Sequence, residues 1–234
     1  MPQPALTTIG FDADDTLWQN EHFFKMTEAR FADLLAEHAE AETIASRLLD
    51  TERRNIQFYG YGIKGFVLSM IETAIEITEG RVPAATIAEI MSYGRAMSEH
   101  PVETLPHVHE TLAEISAAFR IVLVTKGDLF DQERKLAQSG LGDYFDAVEI
   151  VSDKTPDVYR RIFERHGDGP ARSMMVGNSL KSDVIPAIEA GGHGVHVPHQ
   201  LSWGLEHAEA PTDEARFHVL AHLGELQDLV RRIG

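Results

Sequence analysis

The run Leu6-Thr-Thr-Ile-Gly-Phe11 is short and apolar, bounded by polar residues, and predicts a buried strand. After it the period becomes helical. Phe24, Phe31, Leu34 and Leu35 fall on one stripe, and Ile44 and Leu48 on another. Phe66 to Ile77 is apolar on more than one face, which predicts the most buried helix of this part. Ile87, Ile90, Met91 and Met97 make a fourth stripe, with Pro83 placed to open that helix. No strand pattern interrupts residues 18–100. From residue 101 helices and strands alternate. Val108, Leu112 and Ile115 form a helical stripe, and Arg120-Ile-Val-Leu-Val124 is a continuous apolar run of the kind found in parallel sheets. A helix over Leu129 to Ser139 closes at Gly140. Further strands are expected at Phe145 to Val151, Ser173 to Val176, Gly194 to Val197 and Phe217 to Leu220. Helices are expected from Pro156 to about His166, capped by Thr155, from Ser182 to Ala190, and from Leu223 to Ile233. Gly204 to Asp213 reads as a polar connecting loop. Strands alternating with helices predict an α/β fold with a parallel sheet, interrupted after its first strand by an all-helical insertion.

Composition narrows the partners. The 234 residues are 43% hydrophobic and 25% charged, ordinary for a globular protein of one large domain or a core plus a smaller one. The net charge of −16 argues against a nucleic-acid partner. It leaves room for a phosphate substrate, because a cation and a few lysines reverse the field locally. The absence of cysteine excludes disulfides and thiol catalysis. Met-Pro-Gln-Pro at the start has no basic n-region, no apolar run is long enough to span a bilayer, and a cytoplasmic protein without membrane contact is expected.

The polar residues that carry chemistry sit where strands end, the usual site of a parallel α/β sheet. The first strand runs into Asp12-Ala-Asp14-Asp15-Thr16. Along extended chain Asp12 and Asp14 would share a face and Asp15 would point away. Two carboxylates held together persist where a cation or a reaction needs them. The next strand ends in Thr125-Lys126, the third in Ser152-Asp-Lys154, and the fourth in Gly177-Asn178-Ser179 with Asp183 following. Each has a plainer reading alone: a turn hydroxyl, a solvated lysine beside Asp153 and Asp157, a helix N-cap. Four in order at successive strand ends outweigh those readings.

Phe11-Asp-Ala-Asp-Asp-Thr-Leu17 resembles the first motif, DxDxT, of the haloacid dehalogenase-like hydrolase superfamily. Thr125 after its apolar strand resembles the second motif, Lys154 before Thr-Pro-Asp the third, and Val176-Gly-Asn-Ser-Leu-Lys-Ser-Asp183 the acidic fourth. The resemblance implies a Rossmann-like α/β catalytic core of residues 1–17 and 101–234, with residues 18–100 as an inserted helical cap. It implies a phosphatase that hydrolyses a small phosphate monoester through an aspartyl phosphate. Asp12 would be the nucleophile and Asp14 the general acid and base, its pKa raised by the neighbouring carboxylate. Thr125, Lys126 and Lys154 would bind the phosphoryl group. Mg²⁺ would be held by Asp12, the Asp14 carbonyl, Asn178 and Asp183. Asn178 departs from the family's usual aspartate and predicts weaker metal binding.

Other readings of the same residues are a phosphomutase, a carbon–halogen hydrolase, a phosphorylatable receiver module and a silent binding domain. Halide chemistry in the family lacks the second aspartate, so Asp14 favours phosphate. The inserted helices argue against a receiver. Gly60-Tyr-Gly62-Ile-Lys-Gly65 matches GxGxxG but lies between helices, and predicts a loop with Lys64 as its residue of interest. Taken singly, Lys126 and Lys181 read as surface charges near the mouth of the site. His193, His196 and His199 lie three apart, facing opposite ways along a strand, which disfavours zinc. His199 and Trp203 are placed to reach the mouth of the site.

Overall fold

Among the described residues six parallel strands form the sheet: β1 (Thr8–Phe11), β2 (Arg120–Lys126), β3 (Ala147–Val151), β4 (Ser173–Gly177), β5 (His193–His196) and β6 (Phe217–Val219). Their order is β3-β2-β1-β4-β5-β6, with Phe11 in register with Leu123 on one side and Val176 on the other. This computed structural model describes residues 5–233, so the leader expectation, which rests on residues 1–4, lies outside the described residues. Among the described residues no helix is long and apolar enough to cross a membrane.

Alternation along the strands builds a core on each face. Ile9, Phe11, Ile121, Leu123, Met174 and Val176 face one layer, with Val108, Leu112 and Ile115 of α5 (Val108–Ser116) and Leu226, Leu229 and Val230 of α9 (Leu226–Ile233). Val122, Val124 and Met175 face the other, with Tyr159, Ile162 and Phe163 of α7 (Pro156–His166). Each such side chain contributes about 1.5–3 kcal/mol on full burial. Gly10 lets that second layer close in, since a Cβ there would lie 2.9 Å from Met175 Sδ. Thr155 caps α7 through a 3.3 Å bond from Val158 N, with Pro156 at its first turn, as the sequence predicts.

The chain divides into two compact units. One is the sheet with its helices, residues 1–19, 102–126 and 132–234. The other is residues 20–101, joined by residues 127–131, which the sequence pattern groups with the α/β part. It holds four helices, α1 (Glu21–Leu34), α2 (Ala41–Tyr59), α3 (Ile63–Ile77) and α4 (Ala84–Glu99), around Phe31, Leu48, Phe66, Met70 and Ile90. Pro83 stands just before α4 in extended conformation rather than inside it. The GxGxxG match lies at the α2–α3 junction, with Gly60 and Gly62 at φ 69° and 101°. Lys64 pairs with Asp128 at 2.8 Å.

Two expected helices begin later than predicted. The helix expected from Ser182 is α8 (Ile185–Glu189), preceded by a single π turn over Leu180–Val184. The Ser179 carbonyl accepts from both Asp183 and Val184 N–H, at 3.0 and 3.2 Å, and that shared acceptor widens the turn. The last helix starts at Leu226 after a 3₁₀ turn at Leu223–Glu225.

Candidate active site

β1 delivers Asp12 into the end of the sheet, buried to 6% exposure. Its backbone N–H still bonds Val176 O, but the extended chain stops there. The Ala13 carbonyl accepts from Thr16 and Leu17 N–H at 3.3 and 2.8 Å, and Asp15 takes a left-handed φ of 61°. Beyond Asp12 the chain therefore leaves the extended conformation on which the alternation argument rests. Asp12 and Asp14 are held by different partners.

Lys154, reaching in from beyond β3, donates to Asp12 Oδ1 at 2.5 Å and to Asp183 Oδ1 at 2.6 Å. Two carboxylates thus share one ammonium in a buried cluster. Burial first and Asp183 second push the Asp12 carboxyl up from 3.8 to about 7, against the pull of Lys154. Burial lowers the Lys154 pKa, but the two carboxylates outweigh it and hold the ammonium charged. Asp183 fits because Gly177 has no side chain, a Cβ there overlapping the Asp183 carboxylate. Its Oδ2 accepts from Ser179 N at 3.0 Å, and the buried Tyr159 hydroxyl donates to Ser182 O at 3.0 Å, pinning the π turn.

Asp14 has its own cage. Trp18 Nε1 donates to its Oδ1 at 2.7 Å, Lys135 Nζ to Oδ1 at 2.6 Å and Gln132 Nε2 to Oδ2 at 2.8 Å. Burial raises its pKa, but Lys135, then Gln132 and Trp18, lower it further, so the net shift is downward. The expectation that a neighbouring carboxylate raises Asp14 is therefore reversed: the raised carboxyl is Asp12. The physical reason is the ammonium of Lys135. It comes from α6 (Leu129–Ser139), where Asp131, Gln132, Lys135 and Ser139 are buried at helical spacing. That polar stripe, where apolar residues would be usual, is the sequence signal for the missed Gln132 and Lys135.

Asn178 closes the cluster. Its backbone N–H donates to Thr16 Oγ1 at 3.0 Å, and Thr16 Oγ1 donates to Asp12 Oδ2 at 3.0 Å. With its amide nitrogen turned inward, Asn178 donates to Asp12 Oδ2 and the Asp14 carbonyl, both at 3.2 Å. With the amide turned over, its oxygen meets those same two oxygens. A hard oxygen 3.2 Å from each of two others suits neighbouring ligands of a cation with about 2.1 Å metal–oxygen bonds. The donor set therefore fits Mg²⁺ through Asp12, the Asp14 carbonyl and Asn178. Carboxylates alone do not supply it: among the described residues no three His, Cys, Asp or Glu are grouped to hold a metal. Asp183 has both oxygens engaged, by Lys154 and Ser179 N.

Thr125 is buried at the end of β2, its hydroxyl donating to Lys126 O at 3.3 Å. Lys126 Nζ is engaged by Glu206 at 2.7 Å and by Ser182 Oγ at 2.8 Å. Glu206 lies in the segment read as a mere connecting loop, and nothing in the local pattern marks it. Lys181 donates to Leu205 O at 2.7 Å. The three histidines go to three partners. His193 Nδ1 lies 3.0 Å from His218 Nε2, His196 Nε2 3.0 Å from Asn178 O, and His199 Nδ1 2.9 Å from Leu201 O.

Comparison with known proteins bears on this arrangement. A family model described as haloacid dehalogenase-like hydrolase matches residues 6–191. Glyceraldehyde 3-phosphate phosphatase of Methanothermobacter thermautotrophicus is 24% identical over 212 residues, 84% of this chain and 88% of that protein. A solved haloacid dehalogenase-like family hydrolase from Xanthomonas campestris superposes with a TM-score of 0.87 at 42% identity, covering 98% of this chain and 92% of the other. L-2-haloacid dehalogenase of Xanthobacter autotrophicus, with chloropropionic acid covalently bound, shares the fold, with a TM-score of 0.67 at 22% identity over 98% of this chain and all of that one. Motif order, strand-end geometry and the family match agree: the chain belongs to the haloacid dehalogenase-like hydrolases.

Proposed function

We propose that this hydrolase is a phosphatase acting on a small soluble phosphate monoester. The observation that carries the reading is Asp14, a second carboxylate two residues after Asp12 and caged by Trp18, Gln132 and Lys135. A carbon–halogen hydrolase has no use for it. The similarity to a glyceraldehyde 3-phosphate phosphatase over most of both chains supports the same choice.

In this mechanism the ionised Asp12 carboxylate attacks phosphorus in line and the leaving oxygen departs, giving an aspartyl phosphate. Lys154 offsets the charge gathered on Asp12 and the phosphoryl oxygens. The Thr125 hydroxyl, exchanging its bond to Lys126 O, donates to one of those oxygens. Asp14, kept ionised by Lys135, takes the proton of the water that cleaves the aspartyl phosphate. To protonate a leaving oxygen it first exchanges the Lys135 contact for a proton. Asp12, the Asp14 carbonyl and Asn178 would hold Mg²⁺, with Asp183 positioning Lys154. The metal when bound supplies positive charge against the phosphoryl oxygens. The division into residues 1–17 with 101–234 as catalytic core and 18–100 as helical cap belongs to this proposal, and the two compact units support it.

The test is phosphate release from a panel of phosphate monoesters with and without Mg²⁺, for wild type and Asp12→Asn, with 2-chloropropionate as a halide control. Release by wild type that needs Mg²⁺ and disappears in the variant is expected. Halide release without phosphate release would overturn the reading.

A further inference from the structure

Glu206 arrives from the loop after β5 and is 18% exposed at its side chain. Its Oε1 accepts from Lys126 Nζ at 2.7 Å, and its Oε2 from Ser179 Oγ at 2.6 Å and Ser182 Oγ at 2.5 Å. Lys126 Nζ also donates to Ser182 Oγ at 2.8 Å. These donors are sequence neighbours of the site residues: Lys126 follows Thr125, Ser179 follows Asn178 and Ser182 precedes Asp183. One ammonium and two hydroxyls converging on two carboxylate oxygens are the donor set of an oxyanion site. Here the chain's own carboxylate fills it.

We propose that Lys126, Ser179 and Ser182 form an oxyanion subsite beside the Asp12 cluster, and that Glu206 is its built-in occupant and limits how tightly the site holds phosphate-type anions. The inference rests on the phosphatase reading for the identity of the anion. The charge of Glu206 itself gives the sign, because it sets a carboxylate against Lys126 Nζ, Ser179 Oγ and Ser182 Oγ, the donors an incoming anion would use. Neutralising Glu206 removes a negative charge 2.7 Å from Lys126 Nζ, where an incoming anion would bind. A clamp that only braced the loop would give the opposite sign, because loosening it would weaken anion binding.

The experiment compares inorganic phosphate binding by calorimetry for wild type, Glu206→Gln and Glu206→Gln/Lys126→Met. A gain of about tenfold in the single variant is expected from removing one charge at this range. The second substitution should cancel it, and the KM for a phosphate ester should fall more than kcat changes. An unchanged or weaker phosphate affinity in Glu206→Gln, or a gain that survives Lys126→Met, would overturn the proposal. Glu206→Ala gives an independent reading: added formate should raise its thermal midpoint, and should not raise that of wild type or of Glu206→Ala/Lys126→Met. Failure of both Glu206 variants to fold, or no formate effect, would mark Glu206 as a structural brace. If wild type turns over phosphate esters and neither gain appears, the subsite falls alone. If Glu206→Ala takes up formate and wild type releases no phosphate, the subsite stands and the phosphatase reading falls.

Discussion

Asp12→Asn should make the metal-free protein more stable. In wild type, Asp12 and Asp183 share the Lys154 ammonium, with side chains 9%, 1% and 1% exposed. Burial and then the Asp183 charge hold the Asp12 carboxyl at about 7 against 3.8 when free. At 1.36 kcal/mol per pKa unit, keeping it ionised costs about 4 kcal/mol of folding stability. The sign follows from the raised value. The folded state binds the proton more tightly, so the stabilisation is complete below the unfolded 3.8 and is lost as pH rises towards 7. Asn keeps the shape and an oxygen for Lys154, loses the charge, and leaves Lys154 and Asp183 as a one-to-one pair. After about 1 kcal/mol for the weaker hydrogen bond, a net gain of about 3 kcal/mol remains at pH 8. The assay is thermal unfolding followed by circular dichroism in a chelator, from pH 4 to 8. The advantage of the variant should grow between pH 4 and 7, then level off, while phosphate release is lost. An Asp12→Asn protein no more stable than wild type at pH 8, or an advantage independent of pH, would refute the reasoning.

Lys135→Met should cost about 2 kcal/mol at pH 7, since it leaves the Asp14 carboxylate without its cation. Asp14 is shifted downward in the folded state, so its contribution is present above the unfolded 3.8 and is lost as pH falls through the lower folded value. The two proteins should therefore converge in thermal unfolding as the pH falls below 3.8. Asn178→Asp should bind Mg²⁺ about tenfold more tightly by calorimetry, through the added ligand charge. The same change should lower metal-free stability, because a carboxylate cannot donate to Asp12 Oδ2 and the Asp14 carbonyl as the amide does.

The sequence by itself determined the parallel sheet, the four-helix insertion and the strand ends at which Asp12, Thr125, Lys154 and Asn178 lie. Those follow from local causes: apolar runs of strand length, stripes at helical period, and the Thr155-Pro156 start of α7. The match of these residues to a family pattern then carried the reaction class. Only the tertiary structure decided how the carboxylates are charged. Lys135 is 121 residues from Asp14, Lys154 is 142 from Asp12, and Glu206 is 80 from Lys126. The polar stripe on α6 marks Lys135 as unusual, but no period or spacing in the chain says which carboxylate each lysine meets. Folding gives Asp12 a cation shared with Asp183 and Asp14 one of its own, so the raised carboxyl is Asp12 and not, as a neighbouring carboxylate suggests, Asp14. Pattern reports which faces of an element are buried, whereas a pKa depends on which charges folding brings within a few ångströms.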